Sequence, residues 1–290
     1  MKENMNTKVR GRKDLENLSI PFIGEIPQYL SAKKKLGFDK HTQSVMKAIV
    51  VKEGNRNIIN EAFRVLRSNI DFMAGKDSGQ NVFMLTSFNP GSGKSFLAMN
   101  IAMSFAIKKK RILVIDGDLR HGSTSSYVDS PKTGLSDYLG NRVSDWKEII
   151  VKDEKYDNLH IIPIGTVPPN PTELLEDGKL ATLIEVLRSE YDYIFIDCPP
   201  IDIVADAQII EKLADRTVFV VRSGLLDRSM LPELENIYQE KRFKNLSVIL
   251  NGTESAGGRY GYRYGYRNGY SSYYGNKGKM GGVNGWSSSD

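Results

Sequence analysis

Short runs of apolar residues recur along the middle of the chain, and segments with helical spacing separate them. The runs predict six β-strands, at Val82–Thr86, Arg111–Ile115, Leu159–Pro163, Tyr193–Ile196, Thr217–Val221 and Ser247–Leu250. Several runs are almost continuously apolar, which is typical of parallel strands buried on both faces. The intervening segments predict helices at about residues 94–109, 136–140, 145–151, 173–190, 203–213 and 229–242. This alternation predicts an α/β fold with a doubly wound, mostly parallel sheet.

One more helix is predicted ahead of the first strand, over Ile58–Met73. Apolar residues recur there at helical spacing, at Ile59, Phe63, Leu66, Ile70 and Met73. The polar face of this helix carries Glu61, Arg64 and Arg67. By spacing alone, that face is a solvated surface with an internal Glu–Arg pair, which stabilises a helix by roughly a few tenths of a kcal/mol.

The two ends of the chain lack this periodicity. Residues 1–57 are polar and Lys-rich, and only Ile20–Leu30 places apolar anchors between turn residues, as a segment that caps a domain edge does. Residues 252–290 consist mostly of Gly, Ser, Tyr, Asn and Arg, a composition that predicts disorder. We therefore predict a basic linker and cap over residues 1–57, an α/β domain over residues 58–251, and a disordered tail.

Charge is distributed unevenly along the chain. The net charge is +5, but residues 1–57 carry 12 Lys and Arg against 6 Asp and Glu, and residues 252–290 carry 5 against 2. A slightly acidic middle of net −4 is therefore flanked by two basic ends. These ends are either solvated arms or segments that approach an anionic membrane surface or nucleic acid.

The remaining composition argues against several classes of protein. A single cysteine, Cys198, provides no disulfide framework and fits a reducing compartment. The three histidines are scattered, so His and Cys form no metal-binding spacing. No run approaches about 18 uncharged apolar residues, so no membrane span is predicted, and the polar N-terminus does not resemble a signal peptide.

The first predicted strand leads into a phosphate-binding pattern. The segment after it contains, in order, Gly91, Ser92, Gly93, Lys94, Ser95 and Phe96. Backbone N–H groups at a helix N-terminus bind anions, the lysine adds charge for the terminal phosphates, and the serine hydroxyl ligates Mg²⁺. The pattern G-x-x-x-x-G-K-[ST] requires glycine where this chain has Phe88, so a glycine-bearing turn before a core helix is the alternative.

Two further strands end in carboxylates. Asp116 and Asp118 follow one apolar run, and Asp197 follows another. A buried strand has no structural need for an aspartate at its end, whereas a nucleotide site uses carboxylates to hold Mg²⁺ or to accept a proton. Together with the Gly93–Ser95 loop, these residues predict an ATPase or a kinase that uses ATP and Mg²⁺.

In these motifs the chain resembles the bacterial tyrosine kinases, or BY-kinases, that accompany polysaccharide co-polymerases. Their D-x-D-x-R motif is matched by Asp116, Asp118 and Arg120, and their D-x-P-P motif by Asp197, Pro199 and Pro200. Their helical E-x-x-R-x-x-R motif is matched by Glu61, Arg64 and Arg67, and the segment Gly165–Leu175 resembles another family phrase. The resemblance covers roughly residues 10–251 and implies a P-loop NTPase fold of the MinD/ParA type.

The resemblance also implies a role for each site residue. Lys94 and the Gly91–Ser95 backbone would hold the β- and γ-phosphates, with Phe96 next in the helix. Ser95 would ligate Mg²⁺, with Asp118 and Asp197 in its shell. Asp116 is the candidate base, although the division of roles between Asp116 and Asp118 stays open. Arg222 and Asn251 follow later strands and are candidates for the base pocket.

The tail supplies candidate phosphoacceptors. Half of the chain's 14 tyrosines lie there, at Tyr260, Tyr262, Tyr264, Tyr266, Tyr270, Tyr273 and Tyr274. Glycine spacers make a tyrosine accessible to an active site without fixed geometry. A sticky low-complexity arm and an RNA-binding segment are the alternatives, since Arg and Tyr stack on bases, but a nucleic-acid partner is not expected beside a kinase-like site.

The expected partners and location follow from the resemblance. The helical motif implies a ring-shaped homo-oligomer in which one protomer phosphorylates the tail of its neighbour. A membrane polysaccharide co-polymerase, or a transmembrane part of a longer protein, would activate the kinase, and a tyrosine phosphatase would reverse it. We expect a cytoplasmic protein at the inner face of the bacterial plasma membrane that regulates capsule or exopolysaccharide synthesis.

Two other functions compete with this hypothesis. A MinD/ParA-type ATPase shares the fold, but it carries a second lysine early in the phosphate loop, where this chain has Ser87–Pro90. The tyrosine-rich tail also has no use in such an ATPase. A non-catalytic adaptor would bind nucleotide or RNA through its tail, but the intact site residues argue against a dead site: Lys94, Ser95, Asp116, Asp118 and Asp197. Neither alternative explains as many features as an autophosphorylating tyrosine kinase.

Overall fold

The computed structural model of the protein describes residues 7–29, 48–75, 79–201 and 205–254. Contacts between residues divide the chain into a unit of residues 1–254 and a second unit of residues 255–290, and all described residues belong to the first. Within those ranges, no helix is long and apolar enough to cross a membrane. The predicted disorder is wrong at the start of the tail, because Gly252 and Thr253 belong to the buried strand Ser247–Thr253. The rest of the tail, residues 255–290 with its seven tyrosines, lies outside the described residues.

The described residues of the first unit are built on one sheet of eight strands. They are β1 (Phe22–Pro27), β2 (Val82–Thr86), β3 (Ile112–Asp116), β4 (Val151–Lys152), β5 (Leu159–Ile162), β6 (Tyr193–Asp197), β7 (Arg216–Arg222) and β8 (Ser247–Thr253). Their order across the sheet is β1-β8-β7-β2-β6-β3-β5-β4. All neighbouring strands pair in parallel except β4, which runs antiparallel to β5 at one edge. The mostly parallel sheet confirms the predicted fold class.

In the part of the chain that the structure describes, seven α-helices connect or cover these strands. They are α1 (Ile58–Ala74), α2 (Lys94–Ala106), α3 (Leu135–Leu139), α4 (Pro171–Glu176), α5 (Lys179–Glu190), α6 (Asp206–Glu211) and α7 (Leu231–Gln239). The predicted helix at residues 145–151 was wrong: it is a 3-10 turn, Trp146–Ile149, that leads into β4. The predicted helix at 173–190 is two helices, because Gly178 adopts a φ of 80° between them.

Periodicity also missed β1, the strand formed by the predicted cap segment. It pairs in parallel with β8, with Phe22 opposite Val248 and Ile26 opposite Asn251. Ile23 and Ile26 are buried, so the segment is a covered edge strand of the same sheet. Gly24 and Pro27 lie within this strand and Pro21 just precedes it. They obscured the strand pattern in the sequence, because glycine and proline are rare inside strands.

The core lies on both faces of the sheet. Successive strand residues alternate between two apolar clusters: Phe83 and Leu85 belong to one, and Met84 belongs to the other. Helices α1 and α2 cover the first face, and α5, α6 and α7 cover the second. This arrangement explains why the strand sequences are almost continuously apolar.

The register of the central strands brings their polar ends together. Asp116 at the end of β3 pairs with Asp197 at the end of β6, and Leu85 of β2 pairs with Asp197 on its other side. Arg222 at the end of β7 pairs with Asn251 of β8. The carboxyl ends of a parallel sheet are where ligands bind in open α/β folds.

Candidate active site

The loop between β2 and α2 has the backbone of a phosphate-binding loop. Gly91 and Gly93 adopt φ values of 73° and 90°, a left-handed conformation that side chains disfavour. A Cβ at Gly93 would lie 2.3 Å from Asn251 Nδ2, so glycine is also required sterically. Helix α2 begins at Lys94, directly after this turn, and its first N–H groups have no partner within the helix.

Phe88, which replaces the first glycine of the phosphate-loop pattern, packs in the core. Its side chain is 3% exposed, and its ring meets Phe219 edge to face with 4.9 Å between centroids. The departure from the pattern therefore adds a core contact at a position that is turned away from the Gly91–Ser95 turn.

Lys94 lies almost buried at the start of α2, with its Nζ 3.4 Å from Ser87 Oγ. Ser87 in turn donates to the Asn89 carbonyl, as does Ser92. These hydroxyls shape the loop around the ammonium group. Sequence reasoning considered the Ser87–Pro90 stretch only for its missing lysine and did not identify Ser87.

Asp197 is the centre of the oxygen cluster. Its Oδ2 accepts hydrogen bonds from Ser95 Oγ at 2.5 Å and from Thr124 Oγ1 at 2.7 Å, whereas its buried Oδ1 has no partner. Burial raises the pKa of this carboxyl, and Lys94 opposes that effect. Thr124 was not predicted, because it lies in an aperiodic segment more than 70 residues from Asp197 in sequence.

Asp116 is held rigidly beside Asp197. Its Oδ2 accepts from both the backbone N–H and the hydroxyl of Ser125, each at 2.6 Å, and its buried Oδ1 has no partner. Burial, followed by the charge of Asp197, raises the pKa of Asp116 to about 8. Ser125 is a second residue that the sequence analysis did not identify.

Asp118 differs from the other two carboxylates because it lies slightly closer to the surface and pairs with a histidine side chain. Both of its oxygens lie 3.2 Å from His121 Nδ1, and the backbone N–H of Arg120 and His121 also donate to it. The two carboxylates therefore lie in different environments: Asp116 is fixed in the interior, and Asp118 lies nearer the rim.

Arg120 links this site to Gly165–Leu175, the segment that resembles a sequence motif of the BY-kinases. Its Nε donates to Asp206 Oδ2 at 3.1 Å, and its Nη2 donates to Thr172 Oγ1 at 3.0 Å. Thr172 also donates to Asp206 Oδ1 at 2.7 Å, and Asp206 is fully buried. The guanidinium therefore joins β3 to the starts of α4 and α6.

The remaining predicted nucleotide contacts separate into two groups. Asn251 and Arg222 lie against the loop: the Asn251 amide donates to the Ser92 carbonyl at 2.9 Å, and Arg222 Nη1 lies within 4 Å of a Cβ position at Gly93. The Phe96 side chain instead meets Phe63 edge to face, so only its backbone remains available to the phosphate loop. Cys198 is buried, and burial raises its pKa well above the usual range, which fits a packing role.

The predicted oligomerisation residues lie on α1, away from the sheet. Glu61 and Arg64 form an ion pair on the exposed face, and Arg64 Nη2 donates to the Asn55 carbonyl at 2.5 Å. Arg67 instead donates to the Ser104 carbonyl of α2 at 2.8 Å. The structure therefore brings neither of these two arginines to the phosphate loop.

The donor set at the strand ends fits a hard divalent cation. Ser95, Asp118 and Asp197 offer only oxygen atoms, and the unpartnered Oδ1 of Asp197 lacks the compensation that a buried acceptor needs. No cluster of three or more His, Cys, Asp or Glu side chains forms a complete metal site in the described ranges. Mg²⁺ is commonly held in this way, by one or two carboxylates together with substrate phosphates and water.

These features define a P-loop nucleotide-binding protein, and the AAA domain family matches residues 80–242. A putative tyrosine-protein kinase CapB of Staphylococcus aureus is 32% identical over 210 residues, which cover 72% of this chain and 91% of that protein. A putative tyrosine-protein kinase in the cps region of Klebsiella pneumoniae is 34% identical over 250 residues, or 84% of this chain, but the match spans only 33% of that protein.

A solved structure agrees with these relatives. The kinase domain of the Escherichia coli tyrosine kinase ETK superposes with a TM-score of 0.73 at 28% identity, covering 89% of this chain and 100% of that domain. The chain belongs to the bacterial tyrosine kinases, as its motifs predicted.

Proposed function

We propose that the chain transfers the γ-phosphoryl group of Mg-ATP to tyrosines of its own C-terminal tail, with one protomer acting on its neighbour. The observation that carries this proposal is the pair of buried, unpartnered Oδ1 atoms of Asp116 and Asp197 at paired strand ends beside Ser95. In this proposal, Oδ1 of Asp197 binds the cation that accompanies ATP, and Oδ1 of Asp116 accepts a proton from the substrate.

In the proposed reaction, the acceptor tyrosine oxygen attacks the γ-phosphorus and ADP leaves. The tyrosine proton passes to Asp116 in its ionised form, and the raised pKa of about 8 makes this carboxylate a stronger base than an ordinary one. Lys94 and the N–H groups of Gly91–Ser95 stabilise the charge on the transferring group. Mg²⁺, held by Ser95 and Asp197 with Asp118 nearby, would supply further charge neutralisation.

The tail supports this choice of acceptor. Its tyrosines alternate with glycine and arginine, and its sequence offers no apolar core to bury them. Each phosphate adds about −1.5 to −2 charges, so full phosphorylation of seven tyrosines would bring roughly −10 to −14. That charge would repel a neighbouring acidic site and open a ring-shaped oligomer held by Glu61, Arg64 and Arg67.

The wider setting is proposed on the relatives. One relative is named for a cps region, and its length leaves room for further domains outside this match. We propose that the kinase works with a membrane polysaccharide co-polymerase at the inner face of the plasma membrane, where its basic residues 1–57 face anionic lipid. A tyrosine phosphatase would return the tail to its initial state.

The decisive experiment incubates the purified chain with Mg-ATP and maps phosphotyrosine by mass spectrometry. Lys94→Met should abolish tail phosphotyrosine, whereas Lys212→Met, which alters an exposed lysine outside the site, should leave it unchanged. ATP hydrolysis without phosphotyrosine would instead identify a MinD/ParA-type ATPase. Absence of both activities in folded protein would identify an adaptor.

A mixing experiment tests whether transfer occurs between protomers. A chain that lacks residues 255–290 is mixed with full-length Lys94→Met, so that catalyst and acceptor are on different molecules. We expect phosphotyrosine on the Lys94→Met tail. Transfer confined to unmixed wild-type protein would contradict the neighbour mechanism and leave the kinase activity itself intact.

A further inference from the structure

A basic groove lies at the opposite end of the sheet from the phosphate loop. It has a volume of about 770 Å³ and is lined by residues that precede β3, β5 and β6 and by the β4 edge. Because these are the amino ends of the parallel strands, the groove is separate from the ATP site at their carboxyl ends. A ligand can occupy it while the active site works.

The groove carries an excess of positive charge. Five cationic side chains line it, Lys109, Arg111, Lys147, Lys152 and Lys155, against the two carboxylates Asp157 and Glu190. Arg111 forms an ion pair with Asp192 at 3.6 Å, but within the described ranges the four lysines have no ion-pair partner. Unpaired ammonium groups that converge on a concave surface favour an anionic ligand.

Two buried polar atoms in the same groove also lack partners. They are the hydroxyl of Tyr156 and Nε2 of His160. His160 Nδ1 lies 2.6 Å from the Tyr191 hydroxyl, and burial raises the pKa of Tyr191 to about 12. Burial also lowers the pKa of His160, so its ring is neutral and one of its two nitrogens carries a hydrogen. The Tyr156 hydroxyl thus lacks an acceptor, which an oxyanion supplies.

The walls of the groove are partly aromatic. Lys147 Nζ lies 5.7 Å from the centroid of the Trp146 ring, and Lys155 Nζ lies 5.1 Å from that of Tyr156. A ligand with both a ring and a phosphate would replace these cation–ring contacts with ring stacking and charge pairing. A phosphorylated tyrosine has this combination.

We propose that the groove binds phosphotyrosine of the C-terminal tail, an inference that rests on the tail phosphorylation proposed above. Charge makes this binding conditional. Residues 252–290 carry a net charge of +3 before phosphorylation, and the groove repels them. Two phosphates contribute about −3 to −4 and cancel this repulsion. The groove therefore captures the tail only after it has been phosphorylated.

The test uses full-length Lys94→Met protein and synthetic peptides, so its result does not depend on kinase activity. A fluorescent peptide of residues 262–272 with phosphate on Tyr266 and Tyr270 is titrated by anisotropy. We expect saturable binding, at least about tenfold tighter than that of the unphosphorylated peptide. Equal binding of the two peptides would overturn the proposal.

Matched variants locate the binding site. Lys152→Glu with Lys155→Glu should weaken the phosphopeptide at least about tenfold, and Tyr156→Phe, which removes only the hydroxyl, about threefold to tenfold. Lys212→Glu, an exposed charge reversal outside the groove, should leave binding unchanged. Undiminished binding by the folded Lys152→Glu, Lys155→Glu variant would place the peptide elsewhere and refute the assignment.

Competition separates phosphotyrosine from a general anion site. Free phosphotyrosine should displace the peptide at a concentration at least about tenfold lower than inorganic phosphate does, because only phosphotyrosine uses the aromatic wall. Equal displacement by phosphate would show a nonspecific anion patch and contradict the proposal. Failure of tail autophosphorylation in wild-type protein is a separate result, because the peptides are phosphorylated chemically.

Discussion

At the scale of single residues, a buried polar atom without a partner is a position where a ligand can restore a missing hydrogen bond. Six such side-chain atoms occur in the described ranges, and four of them belong to Asp116, Asp197, Tyr156 and His160. Each unpaired buried group costs about 1–3 kcal/mol. The first two lie at the ATP site and the other two in the basic groove, so both assignments rest on the same physical cost.

Gly93→Ala should impair both folding stability and nucleotide binding. The new Cβ would lie 2.3 Å from Asn251 Nδ2, at a φ of 90° that alanine disfavours by about 1–2 kcal/mol. Adding Asn251→Ala should remove the contact and recover part of the lost stability in thermal unfolding. Gly54→Ala, at a φ of 72° with open space around it, is the control for backbone strain alone. Equal losses for Gly93→Ala and Gly54→Ala would show that the Asn251 contact is irrelevant.

Asp116 should make the protein less stable as pH rises, in the absence of Mg²⁺ and nucleotide. Its folded pKa of about 8 exceeds the ordinary value of 3.8, so the folded state holds a proton that the unfolded state releases. This contribution is full below about pH 4 and is lost as pH rises towards 8. Asp116→Asn keeps an oxygen acceptor for Ser125 but cannot ionise, so its urea stability should fall less between pH 5 and 8. The exposed variant Asp177→Asn should retain the wild-type slope, and a wild-type slope in Asp116→Asn would contradict the shifted pKa.

At the scale of elements, α1 has two arginines with different tasks. Arg67 ties α1 to α2 through the Ser104 carbonyl, beside the edge-to-face contact of Phe63 with Phe96. Arg64 lies on the exposed face with Glu61. The same sequence motif therefore combines a contact that stabilises one protomer with a surface pair that is available to another.

Arg67→Ala should lower the free energy of unfolding by about 1.5–3 kcal/mol, because it removes a charged hydrogen bond to a backbone carbonyl. Arg64→Ala should lower it by a similar amount, because Arg64 likewise donates to a backbone carbonyl, that of Asn55. Loss of its exposed ion pair with Glu61 adds no more than about 1 kcal/mol. Native mass spectrometry then reports oligomer size for both variants. An oligomer that survives Arg64→Ala would refute the role of this face in ring formation, whereas dissociation only in Arg67→Ala would indicate an indirect effect of destabilised α1.

At the scale of the whole molecule, the described N-terminal residues belong to the α/β unit. Val9 exchanges backbone hydrogen bonds with Leu226 and Gly224, at 2.9 and 2.8 Å, just after β7. Val9, Leu15 and Ile20 are buried in the core cluster of that face. This part of the predicted linker is therefore packed into the α/β unit, next to the end of the strand that carries Arg222.

A chain that begins at residue 21 should lose several kcal/mol of stability, because each buried aliphatic side chain contributes about 1.5–3 kcal/mol. A chain that begins at residue 7 keeps every contact described above and serves as the control. Urea denaturation of both variants measures the difference. Equal stability would support a domain boundary at residue 57 instead of a unit that includes these residues.

Local pattern predicted most of the strands because a parallel strand buried on both faces must be apolar at nearly every position. Local pattern failed for elements whose residue types are not typical of the structure they adopt. The edge strand β1 contains glycine and proline, the two-residue β4 is too short for a period, and Gly178 divides one apparent helix. Partners such as Thr124 and Ser125 were missed, because a hydroxyl acquires a role only from the carboxylate that folding places beside it.

The sequence alone determined the fold class, the phosphate loop and the kinase family, since these depend on residue types at short, fixed spacings. Only the tertiary structure decided that Asp116 is enclosed while Asp118 lies at the rim, that Phe88 faces the core, and that the Lys109 and Lys152 regions converge in one groove. Burial, charge proximity and unpaired donors are properties of residues far apart in the chain. They exist only after the sheet has brought those residues together.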